Sequence, residues 1–344
     1  MSRVARGYDE NDHEHYERPR RRTRPRTKDR PAFEDAEPGR VVRVDRGRFT
    51  VLLDDRPHTG PEARPVTAMK ARPLGRKAVV VGDRVRLVGD TSGADGALAR
   101  IVLVDERSTV LRRTADDDDP YERVIVANAE QLVVVTAIAD PEPRPGLIDR
   151  ALVAAYDAGM APLLVLTKAD LASPDDLLST YRSLGVPWVV TRRGADLDEV
   201  RTRLAGRTSV LVGHSGVGKS TLVNALVPGA DREVGRVNDV TGRGRHTSTS
   251  AHMLALPDGP AGRDGWIVDT PGIRSFGLAH VRPEHLIEAF PDLDEMTEEC
   301  PRGCTHGSGE PECGLDEAVG RGEADPDRVS SFRRVLAARE NSDV

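Results

Sequence analysis

The 344-residue sequence has few aromatic residues, no long apolar stretch and only three cysteines. Aromatic side chains make up 3% of the chain, so its core must consist mainly of Val, Leu, Ala and Ile. No apolar run approaches the roughly 18 residues of a membrane-spanning helix, and the N-terminus lacks the apolar segment of a signal peptide. We therefore expect a cytoplasmic protein of about two or three domains that makes no membrane contact.

Positive charge is concentrated near the N-terminus, although the net charge is −6. Residues 18–30, RPRRRTRPRTKDR, contain eight Arg or Lys and one Asp. Because prolines interrupt this basic run, it can form neither a helix nor a core, and residues 1–37 are expected to be a disordered arm. The arm is either a solubilising tail or a contact for nucleic-acid phosphates.

Residues 38–114 show short alternating runs separated by turn residues, which predicts about five strands. A domain of this size with five short strands is typical of the oligonucleotide-binding (OB) barrel. The pattern alone leaves nucleic-acid binding, protein binding and a purely structural role open.

From Asn128 strands alternate with helices, which indicates an α/β domain with a parallel sheet. The expected strands are QLVVVTAI, APLLVLT, VPWVVT, TSVLVG, AHMLALP and GWIVDT. We expect this domain to span residues 115–282. Residues 283–344 are expected to form an acidic helical domain and a tail.

The stretch GHSGVGKST matches the phosphate-binding pattern G-x-x-x-x-G-K-S between a predicted strand and a predicted helix. Its backbone N–H groups are expected to surround the β-phosphate, its lysine to neutralise phosphate charge, and its serine to bind Mg²⁺. The predicted nucleotide-binding positions are Gly213, His214, Ser215, Gly216, Val217, Gly218, Lys219, Ser220 and Thr221.

The motif DTPG supports this interpretation at the end of a later strand. Asp269 is expected to hold Mg²⁺ through water, and the Gly272 N–H to meet the γ-phosphate. The polar loop VTGRGRHTSTS between the two motifs is expected to be a switch segment. Thr247 or Thr249 would add a second hydroxyl ligand to the Mg²⁺ bound by Ser220.

The stretch VLTKADL contains Thr167, Lys168 and Asp170, which resemble a guanine-reading loop. Asp170 can accept hydrogen bonds from N1–H and the exocyclic amine of guanine, which adenine does not offer. The usual first residue of this motif is Asn. Because a threonine hydroxyl is shorter than an amide and cannot make both of its bonds, we expect lower loop rigidity or affinity. The simpler alternative is a surface Lys and Asp at a strand end.

The guanine-reading stretch precedes the phosphate loop, whereas in ordinary GTPases it follows. Both motifs can be kept if the usual order is rotated, with the cut after the DTPG switch, because exposed connections tolerate such rearrangement. The chain then passes directly from the switch into the C-terminal domain. We therefore expect the nucleotide state to reposition that domain.

The residue that positions the attacking water is not the usual glutamine, because Ile273 follows the DTPG motif. His246 in the switch segment is the best-placed imidazole, and it is the predicted catalytic residue. The alternatives for His246 are a mobile loop residue or a contact to phosphate or rRNA.

Cys300, Cys304, His306 and Cys313 provide three thiolates and one imidazole within one loop. Four such ligands with no open position favour a closed, structural zinc site. A disulfide with one free thiol is the alternative.

Together these motifs resemble the ribosome small subunit-dependent GTPase A (RsgA) family of circularly permuted GTPases. The matching stretches are VVGDRV, GHSGVGKSTLVNAL, GRGRHTST, DTPGIRSFGL and the CTH and EPEC segments, and the resemblance covers residues 38–336. It implies an OB-like barrel that binds ribosomal RNA, His246 as the water-positioning residue, Mg²⁺ with GTP, one zinc ion, and GTPase activity stimulated by the small ribosomal subunit. The sequence departs from the family at Thr167 and in zinc-ligand spacings of three and six, where members more often show four and five.

The resulting prediction is a monomeric GTP hydrolase that assists late maturation of the small subunit, with hydrolysis driving its release. One alternative is an RNA-binding assembly module with a slow nucleotide switch. Another is an ATPase that acts on nucleic acid.

Overall fold

The computed structural model describes residues 33–59, 63–75, 78–113, 123–230, 251–257, 265–270, 278 and 281–339. The predicted basic arm up to residue 32 lies outside these ranges. None of the helices within them is both long enough and apolar enough to cross a membrane.

The N-terminal strands form a closed five-stranded barrel. The strands are β1 (Glu37–Asp45), β2 (Arg48–Leu53), β3 (Val66–Lys70), β4 (Arg84–Gly89) and β5 (Ala99–Val104). Their order is β1-β2-β3-β5-β4, and β4 pairs again with β1, which closes the barrel. Alternate residues such as Val51, Val66 and Leu87 are fully buried inside it, as expected when side chains alternate between two faces. The predicted OB-like barrel is confirmed.

A two-stranded sheet, absent from the sequence-based prediction, follows the barrel. It pairs β6 (Val110–Arg113) with β7 (Arg123–Ala127). The VVGDRV stretch packs closely against this sheet. A Cβ on Gly82 would lie only 2.0 Å from the Ala127 carbonyl oxygen of β7, so only glycine allows this approach. The buried Asp83 carboxylate accepts hydrogen bonds from Val80 N–H (2.8 Å) and from Arg107 Nε (2.7 Å). VVGDRV therefore forms a structural joint.

A second set of strands forms the nucleotide-binding part of the sheet. These are β8 (Gln131–Ala137), β9 (Ala161–Thr167), β10 (Trp188–Val190), β11 (Thr208–Val212), β12 (His252–Ala255) and β13 (Trp266–Asp269). Their order is β10-β9-β8-β11-β13-β12, with all neighbours parallel except β12 and β13. The strand that leads into the phosphate loop, β11, is thus central in space although it comes fourth along this part of the chain. This arrangement confirms the circularly permuted GTPase fold.

Four helices connect these strands, as the alternating pattern predicts. They are α1 (Pro145–Asp157), α2 (Asp175–Arg182), α3 (Asp198–Leu204) and α4 (Lys219–Leu226). The strands are buried on both faces between two apolar clusters, which explains their continuous apolar runs.

The barrel and the nucleotide-binding strands form one continuous eleven-stranded sheet. The link is a single antiparallel pairing of Arg43 on β1 with His252 on β12. Three residues earlier on β1, Arg40 donates to the Thr208 hydroxyl (3.2 Å), and its guanidinium carbon lies 5.2 Å from the Trp266 ring centre. The β1 strand therefore runs alongside the GTPase sheet towards its nucleotide-binding end.

The C-terminal segment is helical, as predicted. It contains α5 (Pro283–Ile287), α6 (Pro291–Asp294), a 3₁₀ turn (Glu295–Thr297), α7 (Gly314–Arg321) and α8 (Pro326–Ala337). Phe290 is fully buried between Tyr156 of α1 and Phe332 of α8, with ring centres 4.9 and 5.2 Å away. Arg334 of α8 forms an ion pair with the buried carboxylate of Asp149 on α1, with a closest N···O distance of 3.1 Å. Helix α8 is therefore fastened to the GTPase domain.

Candidate functional site

The phosphate loop connects the end of β11 to the start of α4, where the predicted motif residues follow one another. Gly216 and Gly218 have φ values of 84° and 92°, which favour glycine. A Cβ on Gly213 would lie 2.4 Å from the Val135 carbonyl oxygen. The glycines therefore satisfy a tight turn that packs directly on the neighbouring strand β8.

Lys219, the first residue of α4, lies beside Asp269, the last residue of β13. The Lys219 ammonium group donates to the Asp269 carboxylate. The Thr270 hydroxyl donates to the Leu211 carbonyl over 2.9 Å and fixes the chain just after Asp269. The structure thus brings the predicted phosphate ligand and the predicted Mg²⁺ ligand to one point.

The guanine-reading stretch follows β9 and reaches back to the phosphate loop. The buried Thr167 hydroxyl lies 2.5 Å from the Val217 carbonyl oxygen and 3.2 Å from that of Thr136. The side chain of Lys168, whose φ is 59°, donates to the Asp140 carbonyl. The loop is thus tied to two neighbouring segments. The lower rigidity or affinity expected from a threonine at position 167 stays a prediction.

Both motifs line the same cavity of about 380 Å³, a volume within the range of small-molecule sites. Thr167, Lys168 and Asp170 contribute one wall, and Gly216, Gly218 and Thr221 contribute another. The predicted residues from two distant parts of the sequence therefore converge on one site. This arrangement can accommodate the base and the phosphates of one nucleotide.

The loop after β10 also lines this cavity and was not predicted from the sequence. Its lining residues are Thr191, Arg192, Arg193, Gly194 and Ala195. Ala169 N–H donates to the Thr191 carbonyl over 3.2 Å, which connects this loop to the guanine-reading stretch. The Thr191 hydroxyl is buried without a hydrogen-bond partner among the described residues. The available signal was position alone, because the carboxyl ends of parallel strands share one edge of a sheet.

Several predicted residues lie outside the described ranges. These are His246, Thr247, Thr249, Gly272 and Ile273. The positions predicted for the attacking water and for the second magnesium hydroxyl therefore stay predictions.

Comparison with known proteins agrees with this geometry. The family model described as RsgA GTPase matches residues 104–279. "Small ribosomal subunit biogenesis GTPase RsgA" of Azotobacter vinelandii is 41% identical over 270 residues, which are 76% of this chain and 75% of the relative. The protein of the same name from Pseudomonas aeruginosa is 40% identical over 275 residues, 77% of each chain.

This chain belongs to the RsgA GTPase family. It is a GTPase. The crystal structure of YjeQ from Thermotoga maritima superimposes with a TM-score of 0.62 at 27% identity and covers 89% of this chain and 99% of that one. YloQ, a circularly permuted GTPase, has the same fold, with a TM-score of 0.61 at 22% identity and coverage of 91% and 98%.

The RsgA-family chain also carries a group of metal-ligand side chains in the loop between the 3₁₀ turn and α7. The ligand atoms of Cys300, Cys304, His306 and Cys313 all lie within 4.8 Å of one another. His306 Nδ1 is 3.7, 3.5 and 4.0 Å from the sulfurs of Cys300, Cys304 and Cys313. All three cysteines are free in the structure, so the alternative disulfide is not formed. This Cys₃His cluster can hold a metal ion.

Neighbouring groups orient the Cys₃His cluster. Gly314 N–H donates to the Cys300 sulfur over 3.1 Å, and Arg333 Nε donates to the His306 carbonyl over 3.1 Å. Burial raises the pKa of the Cys304 thiol to about 11. A metal ion bound to the cluster would favour the thiolate form of these sulfurs.

Proposed function

We propose that this protein binds the small ribosomal subunit and hydrolyses GTP during late maturation of that subunit. The subunit would stimulate hydrolysis, and hydrolysis would drive release. The observation that carries the nucleotide assignment is the convergence of the guanine-reading stretch and the phosphate loop on one cavity. The names of relatives about 40% identical over three quarters of the chain support the ribosomal assignment.

In this proposal Asp170 selects guanine, while the phosphate-loop N–H groups and Lys219 bind the phosphates of GTP or GDP. Ser220, Asp269 and Thr247 hold the Mg²⁺ that accompanies GTP, and Gly272 meets the γ-phosphate. The adjacency of Lys219 and Asp269 supports this assignment. Asp170 lines the same cavity as the phosphate loop, so it can contact the base of a nucleotide whose phosphates bind that loop.

His246 is proposed to position the attacking water. The support is its place in the switch segment and the aliphatic Ile273 after DTPG, which cannot hold a water. His246→Ala should lower subunit-stimulated turnover by at least tenfold with little change in GDP affinity. Maximal turnover within about twofold of wild type would show that another group positions the water.

The metal of the Cys₃His cluster is proposed to be a structural zinc ion. Tetrahedral zinc with bonds of about 2.3 Å to sulfur and 2.0–2.1 Å to nitrogen places sulfur and nitrogen ligands about 3.6 Å apart. The observed distances of 3.5 to 4.0 Å from His306 Nδ1 to the three sulfurs fit that requirement. Bound zinc would fix a loop that has few apolar side chains of its own.

The barrel is proposed to contact ribosomal RNA. Arg48, Met69 and Arg100 are neighbours across β2, β3 and β5, and all three side chains are exposed. Among the described residues, neither arginine of this row has an ion-pair partner, whereas Arg84 is paired with Asp54. Unpaired arginines are available for phosphate contacts.

We propose that the protein acts as a monomer in the cytoplasm, where it would meet assembling subunits. The barrel would span residues 38–114, the GTPase domain 115–282, and the helical metal-binding domain with its tail 283–344. The basic arm of residues 1–37 would add phosphate contacts.

The deciding experiment measures GTP turnover by the full-length protein with and without purified small subunits. We expect strong stimulation by small subunits and little by large subunits, which serve as the matched control. Lys219→Ala should abolish turnover in both conditions. Unchanged wild-type turnover would favour an RNA-binding module with a slow nucleotide switch.

A further inference from the structure

A row of polar side chains leads from the barrel to the nucleotide site. Arg43 of β1 is paired with His252 of β12, and His252 is paired in turn with Asp269 of β13. Residues directly opposite each other on neighbouring strands place their side chains on the same face of the sheet. His252 therefore stands between a barrel residue and the proposed Mg²⁺ ligand.

The middle of this row is buried although its side chains are polar. Arg43 and His252 are both buried, and the Nε2 atom of His252 has no hydrogen-bond partner among the described residues. A buried polar atom without a partner costs free energy. An apolar side chain would therefore serve packing better than histidine at this position.

The barrel contacts β13 at both of its ends. The Arg40 guanidinium carbon lies 5.2 Å from the centre of the Trp266 ring, and the His58 ring packs on Trp266 with ring centres 5.1 Å apart. Trp266 is the first residue of β13 and Asp269 is the last. The row that begins at Arg43 thus reaches the end of β13 where the phosphate loop lies, whereas Arg40 and His58 hold the other end.

The chemistry around Asp269 fits Mg²⁺. The Asp269 carboxylate is paired with Lys219, and Ser220 follows Lys219 in the chain. A carboxylate and a hydroxyl supply the oxygen ligands that Mg²⁺ prefers, and this ion demands nearly ideal octahedral geometry. A small displacement of the Asp269 carboxylate should therefore weaken Mg²⁺ binding.

We infer that Arg43 is a positioning residue for Asp269, acting through His252, although it belongs to the barrel. The inference rests on the nucleotide site proposed above, in which Asp269 holds the Mg²⁺ that accompanies GTP. The domain proposed to contact RNA then also influences the metal affinity of the GTP site.

The test titrates Mg²⁺ into the full-length protein with a fluorescent, nonhydrolysable GTP analogue and measures the Mg²⁺ concentration at half-maximal binding. Arg43→Ala should raise this concentration about three- to fivefold, the effect of losing one cross-strand polar pair. His252→Ala should raise it equally, and the double variant should lose no more than either single variant, because all three break the same row. GDP affinity measured in EDTA should stay at the wild-type value, because no Mg²⁺ takes part.

Arg40→Ala and His58→Ala are matched controls. Each removes a barrel side chain of the same type that contacts β13 at the end away from the phosphate loop. Both should leave the Mg²⁺ concentration at the wild-type value. An equal rise in these controls, or additive effects of Arg43→Ala and His252→Ala, would overturn the inference.

Asp269→Asn separates this inference from the site on which it rests. It should raise the Mg²⁺ concentration at least about tenfold, and wild-type Mg²⁺ dependence in this variant would overturn the proposed Mg²⁺ site. A normal Asp269→Asn effect with an unchanged Arg43→Ala would overturn the positioning role alone. If Arg43→Ala does not fold, His252→Gln is compared with His58→Gln, and equal Mg²⁺ concentrations in those two variants would refute the inference.

Discussion

Removal of the Arg334 guanidinium should destabilise α8. The buried Asp149 carboxylate would then lose the positive charge that offsets the cost of its burial. Asp149 has a side chain only 5% exposed and pairs with Arg334, which is 35% exposed. Arg334 also donates to the Thr180 carbonyl over 3.2 Å and lies 5.1 Å from the Tyr181 ring centre. Arg334→Ala therefore leaves a buried carboxylate without its cation.

Breaking a buried pair in this way typically costs about 3–5 kcal/mol. Because about a third of the Arg334 side chain is exposed to solvent, we expect the lower value of about 2–3 kcal/mol. At about 1.4 kcal/mol per factor of ten, local opening of α8 becomes about 30 to 150 times more frequent. Hydrogen exchange of peptides covering residues 326–337 measures this opening directly.

The defect should depend on pH in a defined direction. Burial raises the pKa of Asp149, and Arg334 partly opposes that rise. Without Arg334 the folded-state pKa rises further above the unfolded value, so stability falls as the pH rises through the folded-state pKa and is recovered below it. Exchange relative to wild type should therefore be faster at pH 7.5 than at pH 5.

Two variants act as controls for the Arg334 prediction. Arg321→Ala removes an arginine whose partners Glu317 and Glu323 are exposed, and it should leave α8 exchange unchanged. In an Asp149→Asn background, Arg334→Ala should cost much less, because no charge is left buried. An equal cost with Asp149 or Asn at position 149, or a pH-independent cost, would refute the electrostatic explanation.

Three further predictions concern the base, the metal and the barrel joint. Asp170→Asn should weaken GTP binding at least 100-fold, because two bonds of about 1.5–3 kcal/mol each are lost, and should shift preference towards xanthosine triphosphate. Competition binding measures this, and unchanged nucleotide choice would show that Asp170 does not read the base. Chelation should release about one zinc ion per chain and make residues 291–339 protease-sensitive, while GDP still binds. Resistance of these residues to proteolysis after metal loss would exclude a structural role for the metal. Gly82→Ala should lower the free energy of unfolding by at least about 2 kcal/mol, because the new Cβ would lie 2.0 Å from the Ala127 carbonyl oxygen. The control Gly96→Ala has a similar φ of 84° but no atom within 4 Å of the new Cβ, so it should cost less. Calorimetry measures both changes.

The elements of the fold were predictable from sequence because local periodicity reports which faces are buried. Alternating residues such as Val51 and Leu53 indicated the barrel, and the continuous apolar run of β8 indicated a strand covered on both faces. The phosphate and guanine motifs were predictable because they need glycines and carboxylates at fixed spacing. The meeting of these two motifs at one cavity was predictable because the rotated order keeps both motifs in one GTPase sheet.

Contacts between distant elements had no such signal. The pairing of Arg43 with His252 depends on how the barrel meets the edge of the GTPase sheet, and neither residue lies in a recognisable motif. The wall formed by Thr191 and Arg192 arises from the position of β10 beside β9. The hydrogen bond from the Thr167 hydroxyl to the Val217 carbonyl could not be predicted either. The sequence shows that Thr replaces the usual Asn, but it does not show which carbonyl lies beside the hydroxyl.

The permuted order attaches two accessory parts to the nucleotide site in different ways. The barrel contacts β12, the strand that follows the predicted switch segment, through the Arg43–His252 pairing. The C-terminal helices follow Leu278, which is fully buried in the same apolar cluster as α1, and Arg334 fastens them to Asp149. The repositioning of the C-terminal domain expected from the sequence would therefore have to break contacts with α1 and α2, among them Arg334 to Asp149 and Arg328 to the Ser183 carbonyl. At the barrel, a change in β12 would act on the Arg43–His252 pairing, while Arg40 holds β1 to Thr208 and Trp266 at the opposite end of the sheet. A nucleotide-dependent movement of β12 would therefore reach the barrel through β1.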